Sequence, residues 1–123
     1  MVFPPPENVA VYGTLKHGES NHTLLSRSQF LGSDRISGLA LYHLGAYPGA
    51  VWEAGAQTEV EVYQVCGKTL QTLDKLEDFD PTRPRQSLYL RKAVETRFGR
   101  TWLYLYNRPV NGKARLDTSW VGP

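Results

Sequence analysis

Two stretches of this sequence carry residues whose types and spacing could do chemistry. One is Val9-Ala-Val-Tyr12-Gly13-Thr14-Leu15-Lys16-His17-Gly18, where a short apolar run stops at Tyr-Gly-Thr. Glycine adopts backbone angles that other residues resist, so Gly13 lets the chain turn sharply and leave successive N–H groups unpaired. Unpaired amides at a strand end form a small anion-binding hollow, which makes Tyr12, Gly13, Thr14 and Leu15 candidates for binding a substrate. An ordinary strand-to-loop turn has the same spacing. The other stretch is Leu70-Gln-Thr-Leu73-Asp74-Lys-Leu76-Glu77. At about 100° per residue, Leu70, Leu73 and Glu77 share one helical stripe, so Glu77 stands where the pattern calls for an apolar side chain. A carboxylate there is either solvated at the frayed helix end or partly desolvated. Desolvation moves a carboxyl pKa toward neutrality, which suits a general acid/base. Asp74 lies near the same face and either adds to that shift or plays no part.

Other patterns point to less. Trp102, Tyr104 and Tyr106 alternate with Thr101, Leu103 and Leu105, which fits a base-stacking platform or a strand packing one side of a core. No basic groove accompanies the aromatics, so the core is the better reading. His17, His22 and His43 have no metal-ligand spacing with one another or with Cys66, and no metal site is expected. Cys66 follows a strand with only Lys68 as a basic neighbour and is expected to be a buried thiol. Gly13 to Gly18 matches neither the Walker nor the dinucleotide glycine spacing.

These residues need elements to hold them. Pro4 to Pro6 favour an extended lead-in, and Val9 to Tyr12 reads as a first strand. Ser20 or Asn21 can cap a short helix carrying Leu24 and Leu25, closed by Phe30-Leu31-Gly32. Ile36 to Leu44 reads as a second strand, Tyr47-Pro48-Gly49 as a turn, and the alternating Thr58 to Val65 as a third strand. A helix is expected from about Lys68 to Glu77, then an exposed loop over Asp78 to Gln86. Leu88–Thr96 and Thr101–Tyr106 flank Phe98-Gly99-Arg100 as a hairpin. Five or six strands against two helices, without a βαβ rhythm, imply an α+β fold: a small mixed, mostly antiparallel, barrel-like sheet flanked by short helices.

Composition bounds the rest. The 123 residues suffice for one domain spanning 1–123, with 41% apolar and 21% charged residues. The net charge of +2 does not argue for a nucleic-acid partner. One cysteine cannot form an internal disulfide. No apolar run approaches the ~20 residues of a membrane span, and the first residues lack the pattern of a signal peptide. A soluble, cytoplasmic protein is expected.

Val11-Tyr12-Gly13-Thr14-Leu15-Lys16-x-Gly18-x-x-Asn21-His22 resembles the signature of the gamma-glutamylcyclotransferase-like family, near its gamma-glutamylamine cyclotransferase branch. Phe30-Leu31-Gly32, Tyr47-Pro48-Gly49-Ala50-Val51, Glu61-Val-Tyr63, Leu73-Asp74-x-Leu76-Glu77, Tyr89-x-Arg91 and Trp120 continue the likeness in order. The resemblance implies a small-molecule γ-glutamyl substrate, whose α-amine attacks its own γ-carbonyl to give 5-oxoproline and a released amine. It also implies Glu77 as the acid/base, the Tyr12–Leu15 backbone as the glutamyl cradle, and no cofactor. The alternative is a non-catalytic pocket binding a glutamate-like carboxylate metabolite. Two positions depart from the family pattern: Val60 and Asp78 each stand where glycine is usual. The Asp78–Leu88 loop, with Arg83 and Arg85, is a candidate lid, a selectivity element for an acidic substrate, or plain surface.

Overall fold

A computed structural model describes residues 5–120. Pro4, part of the expected extended lead-in, lies outside the described residues. The chain order is β1 (Glu7–Val11), a 3-10 turn (His22–Leu25), β2 (Gln29–His43), β3 (Pro48–Val65), α1 (Gly67–Leu76), a second 3-10 turn (Pro84–Gln86), β4 (Tyr89–Thr96), β5 (Gly99–Tyr106) and β6 (Ala114–Arg115). The six strands form one sheet in the order β4-β5-β1-β3-β2-β6. Only β1 with β5 is parallel, and the other pairings are antiparallel. The mixed, mostly antiparallel α+β fold is as expected, curled into a half-barrel. Of the two expected helices only α1 is an α-helix; the segment with Leu24 and Leu25 makes a single 3-10 turn.

The curl comes from β2 and β3, which are far longer than their apolar patterns suggested. Phe30 to Gly32 opens β2 rather than closing a helical unit, and Pro48 to Val51 begins β3 rather than making a turn. Ser37 pairs with Gln57 and Leu39 with Trp52, so Gly38 alone faces residues 53–56. Gly38 (φ +81°) and Gly55 (φ +86°) take left-handed angles at this break. Extra residues on one strand bend it and sharpen its twist, and here they lie at the break in the β2–β3 ribbon. Bulges are hard to see in a sequence because neither side of the break loses its β character.

Period-two alternation splits the apolar residues between the two faces of the sheet. Ala10, Leu39, Leu41, Val62, Leu103 and Leu105 build one core, closed by Trp120, which is 3% exposed. Val9, Val11, Val65 and Tyr104 build the other, against Leu70 and Leu73 of α1 and Leu25 of the first 3-10 turn. Tyr104 belongs to this second core and the partly buried Trp102 and Tyr106 pack against it, as expected of a strand packing one side of a core. Trp102 is itself flanked by the guanidinium groups of Arg91 and Arg100, each 4.6 Å from the ring. Among the described residues, no helix is long and apolar enough to cross a membrane.

Candidate functional site

The chain leaves β1 at Val11 and enters a tightly bonded loop. Tyr12 is buried in the first core, and its hydroxyl donates to the Tyr104 carbonyl at 2.5 Å. Gly13 does not take a left-handed angle; what requires glycine is space. A Cβ there would come within 2.8 Å of the Pro48 ring. The loop turns on Lys16 N–H to Gly13 C=O at 3.0 Å. The first 3-10 turn then clamps it. Asn21 N–H donates to Thr14 C=O at 2.8 Å, Asn21 Nδ2 to Thr14 Oγ1 at 2.9 Å, and His22 Nδ1 to Leu15 C=O at 2.9 Å. The last bond sets the His22 tautomer, because a carbonyl only accepts. The N–H groups of Gly13, Thr14 and Leu15 donate to no backbone carbonyl among the described residues.

Helix α1 brings in the carboxylate. Its apolar stripe buries Leu70 and Leu73, and the next position on it, Glu77, is the C-cap. The helix closes with Phe79 N–H to Asp74 C=O at 2.9 Å and Asp78 N–H to Lys75 C=O at 3.2 Å. This is the paired bonding of a Schellman ending, which needs a left-handed residue at the first position past the cap. Asp78 supplies it at φ +51°, which explains why glycine suits that position. Aspartate tolerates the conformation better than most residues.

Loop and helix end meet at one cavity of about 290 Å³, lined by Tyr12, Gly13, Thr14, Leu15 and Glu77 together with Ser20, Asn21, Tyr47, Leu88, Tyr89, Tyr104 and several apolar neighbours. All five residues expected at a site therefore line one space. Desolvation pushes the Glu77 carboxyl up to about 7. Tyr12, Tyr89 and Tyr104 surround it, and burial raises all three phenols, with the nearby Glu77 charge adding to the effect. Each phenol already donates elsewhere: Tyr12 to Tyr104 C=O, Tyr89 to Pro48 C=O at 2.7 Å, and Tyr104 to Asp74 Oδ1 at 2.6 Å. That leaves Glu77 as the cavity group whose proton moves near neutral pH.

Asp74 is not a partner for Glu77. It accepts from Tyr104 and pairs with Arg91 Nη1 at 3.1 Å, and burial alone accounts for the Glu77 shift. Arg83 and Arg85 are exposed and do not line the cavity, whereas Leu88 at the base of their loop does. That loop is tied down: Arg108 donates to the carbonyls of Ser87 and Gln86, and Asn107 to those of Pro84 and Ser87. Val60 is buried in the first core and does not line this cavity. Cys66, expected to be buried, is exposed at the N-cap of α1, where the Thr69 hydroxyl and then the first helix amides hold its thiol below the usual range. His17 and His22 pack edge to face with ring centroids 5.1 Å apart. Among the described residues, no three His, Cys, Asp or Glu side chains converge on a metal position. Reading the residues alone missed Asn21, Tyr89 and Tyr104 as cavity walls; the signal available was an uncharged polar residue beside a loop and tyrosines on strands.

Three comparisons with known proteins bear on the family and the fold. The family model described as gamma-glutamyl cyclotransferase, AIG2-like, matches residues 9–121. A protein of Vibrio cholerae named putative gamma-glutamylcyclotransferase is 50% identical over 111 residues, covering 89% of this chain and 90% of its own. A gamma-L-glutamyl-butirosin B gamma-glutamyl cyclotransferase of Niallia circulans is 32% identical over 114 residues, covering 87% of this chain and 70% of its own. Among solved structures, the uncharacterized protein PH0828 of Pyrococcus horikoshii superposes with a TM-score of 0.75 at 32% identity, covering 90% of this chain and 86% of its own.

Proposed function

The chain belongs to the gamma-glutamyl cyclotransferase, AIG2-like family, and on that premise we propose that it cyclises a γ-glutamyl amine or peptide to 5-oxoproline, with Glu77 as general acid/base. The observation that carries the reading is the desolvated Glu77 carboxyl in a cavity it shares with the Tyr12–Leu15 loop. The substrate's α-ammonium cannot attack until it loses a proton. Glu77 takes that proton, the freed nitrogen attacks the γ-carbonyl carbon, and the C–N bond to the departing amine breaks. The α-nitrogen sheds two protons on becoming a lactam nitrogen. Glu77 hands them across one at a time, and the amine departs as ammonium. A carboxyl titrating near 7 suits both directions of transfer. Ring closure is intramolecular, so the walls need only hold the substrate folded in an attacking shape. Amides of the loop hold the α-carboxylate or the developing oxyanion, each good donor being worth about 3 kcal/mol in the transition state.

The walls also bear on the leaving group. Glu77 is the one charged residue among those lining the cavity. The apolar side built from Tyr47, Leu76 and Leu88 favours a γ-glutamyl amine over a γ-glutamyl dipeptide. The test is 5-oxoproline release from both substrate types by the wild-type protein and by Glu77→Gln. The variant is expected to lose about 10²–10⁴-fold in rate while remaining folded. Thermal stabilisation by glutamate without turnover of any γ-glutamyl compound would replace the reading with that of a metabolite-binding pocket.

A further inference from the structure

The cavity must accept a carboxylate without a cation. None of its lining residues is Lys, Arg or His, so neutral donors have to do what an ion pair would do elsewhere. The lining donors include the Gly13–Leu15 amides and the hydroxyls of Thr14, Ser20 and Tyr47, and of these hydroxyls Thr14's is the one that Asn21 holds. A hydroxyl has one proton and two acceptor lone pairs, and its proton turns to suit its neighbours. At Thr14 one lone pair is occupied, because Asn21 Nδ2 donates to Oγ1 at 2.9 Å. Thr14 Oγ1 donates to no group among the described residues, and Thr14 lines the cavity. The backbone shows the same arrangement. Asn21 N–H holds the Thr14 carbonyl, and a trans peptide points the Leu15 N–H the opposite way, away from the 3-10 turn.

We propose that Asn21 is a positioning residue for the substrate's α-carboxylate. By donating to Thr14 Oγ1, it turns the Thr14 hydroxyl proton into the cavity, where a glutamyl carboxylate accepts it. The identity of that carboxylate rests on the reading under Proposed function. The direction of the Asn21–Thr14 bond is the essence of the proposal and separates it from a role in holding the loop together. An aspartate at position 21 still hydrogen-bonds Thr14, but only as an acceptor. It takes the Thr14 proton for itself and brings a negative charge beside the substrate's own.

The experiment uses the full chain and two readouts, calorimetric binding of L-glutamate and steady-state kinetics with a γ-glutamyl alkylamide. Asn21→Asp and Thr14→Val are each expected to weaken L-glutamate binding and raise KM by about ten- to a hundredfold. Their kcat is expected to change much less. Thr14→Ser, which keeps the hydroxyl, is expected to recover most of the affinity that Thr14→Val loses, and Asn21→Ala with Thr14→Val is expected to be little worse than Thr14→Val alone. Wild-type affinity in Asn21→Asp, or additive losses in the double variant, would overturn the proposal. If the Asn21 variants do not fold, Thr14→Val and Thr14→Ser decide: equal affinities overturn it, and a loss mostly confined to Val supports it. Wild-type protein that binds L-glutamate yet yields no 5-oxoproline removes the cyclisation reading, and the binding comparison still judges Asn21.

Discussion

A Cβ on Gly13 would stand 2.8 Å from Cδ and 2.9 Å from Cγ of Pro48, so the loop after β1 and the first residue of β3 are in contact at the cavity wall. Pro48 cannot easily retreat, because its carbonyl accepts the Tyr89 hydroxyl. Gly13→Ala is expected to lower stability by about 1–3 kcal/mol, the usual cost of overpacking a well-filled site. Urea denaturation checks this, and Pro48→Ala in the same chain should return much of the loss.

Glu77→Gln is expected to be more stable than the wild type at pH 8. The folded-state pKa of Glu77, about 7, lies above the ordinary glutamate value of 4.5. The folded protein therefore binds the proton more tightly than the unfolded chain. That contribution is fully present below pH 4.5 and is lost as pH rises through 7. Allowing for the partial exposure of the side chain, the variant gains roughly 1–3 kcal/mol above pH 7. Thermal melts from pH 4 to 8 should show the two proteins converging at the acid end.

Asp78 provides a ranked test of the helix ending. Its φ of +51° is strain-free only for glycine, whose greater freedom in the unfolded chain offsets part of the benefit. Asp78→Gly is expected to gain up to about 1 kcal/mol. Asp78→Val is expected to lose at least ~1 kcal/mol, because a β-branched residue is a strong outlier there. Denaturant midpoints should fall in the order Gly, Asp, Val.

Arg91 pairs with Asp74 where their side chains are only 19% and 15% exposed. Its guanidinium also lies over Phe79 and Trp102. Arg91→Met keeps the stem but leaves the Asp74 carboxylate with Tyr104 as its one hydrogen-bond partner among the described residues, at a cost of about 2 kcal/mol. Adding Asp74→Asn should cost less than the sum of the single changes, and a double-mutant cycle in urea measures that coupling.

The two parts of the candidate site were legible in the sequence for different reasons. Glu77 broke a periodic pattern, and a polar residue on an apolar stripe is visible whatever the fold. Gly13 was visible as a glycine, but its cause was misread: the constraint is the Pro48 ring, which is distant in sequence and becomes a neighbour only when β3 pairs back. Strand existence was readable from alternation, whereas the lengths of β2 and β3 were not, because bulges at Gly38 and Gly55 interrupt register without interrupting β character. Tyr104 read as a core residue and is one, as is Tyr89. That they also line the cavity follows from where α1 ends, which no local pattern records. Cys66 was misjudged because the helix start was placed later than the one it caps.

The most direct test of the account is the pH dependence of kcat/KM for a γ-glutamyl amine. With Glu77 as the base, the rate should fall about tenfold per unit below an apparent pKa of about 7, and Glu77→Gln should lose both that inflexion and nearly all of the rate. An inflexion at the ordinary glutamate value, or a Glu77→Gln protein turning over like the wild type, would contradict it.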